Sequence, residues 1–211
     1  QKRMREISRG PGGHEKGTTA CVLRLRRQLA PPPTGYKRLY VGDSWFASVH
    51  TAVAVAKPDA LALHGGDSSG DNNTGGTNGE TENIRNNGET ENIRTTGDHF
   101  VGIVKTAHAR YPKAYIEKAL EGLPRGVHIV LEATVDGIPL IALGWRYNAS
   151  KTLCYIFTRG AGSTANDVNN PYVAKFPDMF GNVTERKVPR PAIIGKYYDC
   201  NNVIDRHNHL R

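Results

Sequence analysis

The chain has 211 residues and a formal net charge of +8, with 38% hydrophobic and 23% charged residues. That is enough for one domain with a sizeable core, and no run of 18 apolar residues is present to form a membrane-spanning helix. The three cysteines, Cys21, Cys154 and Cys200, are odd in number and far apart, which favours free thiols in a reducing compartment over a disulfide framework.

Residues 1–16 are basic and glycine-rich and are expected to be loop. They contain no apolar stretch of the signal-peptide kind, and a start without Met suggests a chain cut from a longer protein. Sequons at Asn72, Asn148 and Asn182 are read as chance. Gly17 to Leu29 reads as a helix: Thr18 or Thr19 can cap it, Ala20, Val22, Leu23 and Leu25 supply apolar positions, and Pro31-Pro32-Pro33 stops it. Arg38-Leu39-Tyr40-Val41-Gly42 reads as a short strand ending at Asp43. An amphipathic helix is expected from Ser44 to about Ala56, with Trp45, Phe46, Val49, Ala52, Val53 and Ala56 on one face. On that face Trp45 is expected in the core.

From about residue 64 to 98 the composition turns to Gly, Asn, Thr, Ser and Glu. A nine-residue repeat runs Asn78–Asn86 and again Asn87–Thr95. Two polar copies cannot bury a shared apolar face, nor offset the entropy of ordering, so this segment reads as a disordered insertion. Between Gly65 and Asp98 seven acids face two arginines, a net of −5, so the remainder of the chain carries +13. A basic body of this kind suits a polyanion, nucleic acid first.

Phe100–Lys105 reads as a buried strand, and Pro112 opens a helix to about Glu121, with Gly122 beyond it. Val127–Val135 and Ile138–Tyr147 flank Asp136-Gly137, a two-residue hairpin signal. Asn148–Lys151 then turns the chain into Thr152–Thr158, giving an antiparallel meander. Gly160–Pro191 reads as irregular, and Ala192 to about Tyr198 as a last strand.

Two stretches carry a resemblance. Asp43-Ser44-Trp45-Phe46-Ala47-Ser48 is similar to a motif of the form D-[NS]-W-[FY]-x-S, followed later by Gly102-Ile103-Val104-Lys105-Thr106. Tyr197 precedes Asp205 by eight residues, similar to a pattern ending in G-V-D-x-x-D-Q, with departures at Asn202, Val203 and Asn208. Together they resemble the piggyBac-like family of DNA transposases. The resemblance implies an α/β fold: a partial ribonuclease H-like core over 1–63, 99–126 and 192–211, interrupted by the low-complexity insertion 64–98 and by a β-rich insertion over 127–191.

The chemistry implied is metal-dependent cleavage and transfer of DNA strands. Two Mg²⁺ ions, roughly 3.5–4 Å apart, would stabilise the attacking and leaving oxygens at phosphorus. Mg²⁺ prefers carboxylate oxygens, and the resemblance makes Asp43 and Asp205 the catalytic ligands. Asn208 stands where a further carboxylate often lies, so contact with a metal there runs through a neutral amide oxygen. Read without the resemblance, Asp43 is a helix cap and Asp205 a solvated charge. The family's first Asp has no counterpart, because residues 1–42 contain no aspartate; it is expected on a strand preceding Gln1.

Lys105, His108, Arg110, Lys113, Arg146, Arg159, Arg186, Lys187 and Arg190 are candidate phosphate contacts, or a solvated basic surface. His207, His209 and Cys200 do not make the four paired ligands of a zinc site. Nuclear localisation, DNA as partner and a homodimer of the intact parent are further implications. A non-catalytic DNA- or chromatin-binding module derived from a transposase is the competing reading.

Overall fold

The structure is a computed structural model that describes residues 17–30, 32, 33, 35–58, 97–106, 108 and 110–209, with 203–209 described as helix backbone alone. The repeat-containing segment expected to be disordered lies almost wholly outside the described residues.

The element order is α1 (Gly17–Gln28), β1 (Leu39–Gly42), α2 (Val49–Ala56), β2 (His99–Ile103), α3 (Lys113–Ala119), β3 (His128–Val135), β4 (Ile138–Asn148), β5 (Lys151–Thr158), β6 (Tyr172–Pro177), β7 (Val183–Val188) and α4 (Ala192–His209). Five strands form one mixed sheet in the order β1-β2-β5-β4-β3, and β6 and β7 form a separate antiparallel ribbon. Within the five-stranded sheet β1 and β2 are parallel, and every other pairing is antiparallel. The meander is therefore no separate layer. Its last strand joins directly to the outer side of the parallel pair, Val101 opposite Phe157.

Alternation along the strands explains why helices cover both faces. Val101 and Ile103 of β2, Leu143 and Trp145 of β4, and Tyr155 and Phe157 of β5 face α4 through Ile193, Ile194 and Tyr197. Phe100, Leu140, Cys154 and Ile156 face the other way, onto Val53, Val55 and Ala56 of α2 and Ile116 of α3. The hairpin between β3 and β4 turns where expected: Asp136 (φ 50°) and Gly137 (φ 78°) are both left-handed, as a two-residue turn matching the strand twist requires.

Three expectations are corrected. The helix expected from Ser44 begins at Val49, because Ser48 is its cap: extended at φ −150° and ψ 160°, it accepts the Thr51 N–H at 3.0 Å. Residues 44–46 form turns instead, and Trp45 is 78% exposed rather than core. Ala192 to Tyr198 is helix, not strand. Ile193, Ile194 and Tyr197 are buried while Lys196 is exposed, a spacing that fits one helix face and not an alternating strand. Pro191 stands just before that helix, and its carbonyl accepts from Ile194 N–H at 3.0 Å. Finally, the stretch read as irregular contains β6 and β7, whose inner face packs Ala174 and Val188 against the α4 side of the sheet.

Candidate active site at the end of β1

Asp43 directly follows β1, and Val104 and Lys105 directly follow β2. Because the two strands are parallel with Gly42 opposite Gly102, both segments leave the sheet at the same carboxyl edge, where open α/β sheets place ligand-binding groups. Glycine is required at both positions by packing. A Cβ on Gly102 would lie 2.7 Å from the Ala47 Cβ, and one on Gly42 would lie 2.9 Å from the Phe100 ring.

Asp43 is exposed, and its carboxylate turns back on its own loop. Oδ1 accepts from Trp45 N–H at 2.9 Å, while its backbone carbonyl accepts from Phe46 N–H at 3.1 Å and Ala47 N–H at 2.9 Å. It does not cap α2, a role taken by Ser48. Beside it opens a cavity of about 810 Å³ lined by Asp43, Lys105, Lys113, Glu117, Lys151 and Asn201, with Cys154, Tyr197 and Tyr198 on its walls. Lys113 pairs with Glu117 one turn on. Burial, reinforced by Glu117, pushes the Cys154 thiol up to about 11, so it stands as an inert thiol at neutral pH.

Asp205 and Asn208 lie on α4, Asp205 one helical turn beyond the cavity-lining Asn201. Their side chains lie outside the described residues. Among the described residues no group of three or more His, Cys, Asp or Glu side chains converges as a metal site. Two described carboxylates line the cavity: Asp43, and Glu117, which is engaged by Lys113; a further hard oxygen ligand for Mg²⁺ beside Asp43 would have to come from α4.

The other candidates separate. Lys105 and Lys113 line the same cavity as Asp43. Arg110 (φ 69°) is exposed and is not among the residues that line the cavity. Arg146 is buried, donating to Thr152 Oγ1 at 3.3 Å and to the Ala149 carbonyl, so it staples the β4–β5 turn and presents no cation to a phosphate. Arg159 is exposed but paired with Glu132. Arg186 lies over the Phe176 ring at 5.4 Å, Lys187 is exposed on β7, and Arg190 donates to the Asn170 carbonyl at 2.9 Å. His108 lies 3.3 Å from Thr106 Oγ1. Sequence reasoning missed Lys151 and Asn201. The i, i+4 relation of Tyr197, Asn201 and Asp205 would have grouped Asn201 with Asp205 had the segment been read as helix.

Comparisons with protein-family models, with curated proteins and with solved structures returned no match to this chain. Among the described residues no helix is long and apolar enough to cross a membrane.

Proposed function

We propose that the chain is part of a piggyBac-like DNA transposase core, with a ribonuclease H-like arrangement around Asp43 and a parent chemistry of Mg²⁺-dependent strand cleavage and transfer. The observation that supports it is the meeting, in one cavity, of Asp43 at the carboxyl edge of a parallel strand pair, Lys105 from the neighbouring strand, and the helix that carries Asp205. Asp43 and Asp205 would hold the metal, with Asn208 as a neutral oxygen donor. Mg²⁺, when bound, would supply charge stabilisation at the scissile phosphate. Lys105 and Lys151 would hold phosphate oxygens near the cavity mouth.

The outer edge of β1 carries no strand among the described residues. In the resemblance the first Asp lies on the first strand of the core. Residues 1–42 hold no aspartate and Glu117 at the cavity is engaged by Lys113, so the chain is expected to bind Mg²⁺ weakly.

The test is duplex DNA binding by the chain as a function of salt and of Mg²⁺. Affinity should fall linearly on logarithmic axes as salt rises from about 50 to 200 mM, through counterion release. Mg²⁺ should strengthen binding in the wild type and not in Asp43→Asn. Salt-insensitive affinity would remove the nucleic-acid reading. Salt-dependent binding with the same Mg²⁺ response in Asp43→Asn would instead favour the second reading, a DNA-binding module without catalysis. That reading draws on the charge of +13 carried outside residues 65–98.

A further inference from the structure

We propose that Trp45 is a stacking platform for an unpaired nucleobase at the mouth of the Asp43 cavity; the proposal rests on the nucleic-acid reading above. The indole is 78% exposed, although it is the largest apolar side chain in its segment. Asp43, two residues before it, and Phe46, next to it, both line the cavity, so the backbone that carries the ring lies at the rim of that site. Its root is held firmly. Trp45 N–H is bonded to Asp43 Oδ1 at 2.9 Å, and Ala47, two residues on, is 1% exposed and packed in the core.

The surroundings select the occupant. Lys113 is matched by Glu117, so among the described lining residues Lys105 and Lys151 are the cations placed to meet an anionic backbone. A nucleobase offers a flat π-face, and aromatic side chains beside cationic grooves bind single strands by stacking. In a duplex those faces are already occupied by neighbouring bases, so the platform discriminates for an unpaired nucleotide. A second copy of this chain is disfavoured because each copy carries a net charge of +8, and like charges repel.

The chain contains two tryptophans, and the other, Trp145, is fully buried with its indole N–H on the Pro189 carbonyl at 2.9 Å. Emission that differs between wild type and Trp45→Phe therefore reports Trp45. The experiment titrates the full chain with single-stranded oligothymidylate and with a hairpin duplex of equal phosphate count. Labelled-oligonucleotide anisotropy and tryptophan emission are followed together. Oligothymidylate should quench Trp45. Trp45→Ala should weaken its binding by roughly 5- to 100-fold, Trp45→Phe should recover most of that, and duplex affinity should change little. Oligothymidylate binding that leaves Trp45 emission unchanged and is equally tight in Trp45→Ala overturns the stacking proposal while the nucleic-acid reading stands. No binding of either oligonucleotide at low salt overturns both. Emission that shifts with protein concentration alone assigns Trp45 to a contact between copies and overturns the proposal.

Discussion

Arg26 on α1 and Asp98 just before β2 form a buried ion pair, Nε to Oδ2 at 3.0 Å, that brings together the two ends of the repeat-containing segment. Arg26 also donates to the Lys57 carbonyl at 3.0 Å, and Asp98 Oδ1 accepts from Arg38 N–H at 3.1 Å. One guanidinium thus holds the chain where it leaves α2 and where it returns into β2. Gly97 fits there because a Cβ would fall 1.8 Å from the Ala56 carbonyl oxygen. Removing one partner leaves the other charge buried, so Asp98→Ala is expected to cost about 3–5 kcal/mol, measured by denaturant unfolding. Deleting residues 64–96 while keeping Asp98 should leave the thermal midpoint nearly unchanged; a fall of many degrees would show that the segment packs against the core.

Gly137→Val should destabilise the β3–β4 hairpin by about 1–2 kcal/mol, the cost of a left-handed conformation for a side-chain-bearing residue. Nothing lies within 4 Å of a Cβ at this position, so the loss is backbone strain and not a clash. Gly137→Asn, which tolerates positive φ, should recover most of it. Chemical denaturation of the two variants separates strain from sterics; equal losses would contradict the turn assignment.

His99 makes stability depend on pH. Burial first, and then Lys37 and Lys196, hold its pKa below the ordinary histidine value, with Asp98 opposing. Above about pH 6.5 both folded and unfolded chains carry it neutral, and its contribution is fully present. As pH falls below that value the unfolded chain takes up the proton first, so stability drops, levelling off beneath the folded pKa. His99→Gln should flatten this part of the curve in thermal melts between about pH 7.5 and 5. An unchanged slope would show that His99 is not the group responsible.

Arg146 and Lys105 should behave as opposites. Lys105→Ala is expected to leave the melting temperature alone and to reduce the salt slope of DNA binding by about one. Arg146→Ala should lower stability by about 1–3 kcal/mol and leave the salt slope unchanged, because its guanidinium is occupied by Thr152 and Ala149 inside the sheet edge. A salt slope that falls with Arg146→Ala would contradict this placement.

What the residues alone determined is the local part of the fold. Asp136-Gly137 specifies its turn because only small or left-handed-tolerant residues adopt it, and the alternating runs on either side then pair in register. The first helix was legible from its apolar spacing and its proline stop. Tertiary structure decided the rest. The run Ile193-Ile194-Gly195-Lys196-Tyr197-Tyr198 is rich in residues that favour strand by propensity, and burial of Ile193, Ile194 and Tyr197 against one sheet face selected the helix instead. Trp45 was assigned to the core by periodicity, but Ser48 started the helix four residues after Ser44, and a side chain outside the helix no longer follows its period. The union of Asp43 with Lys105 rests on parallel pairing of strands more than 50 residues apart. Hydrogen bonds between such distant segments leave no local trace in composition or spacing, because their register is set by the faces they bury together.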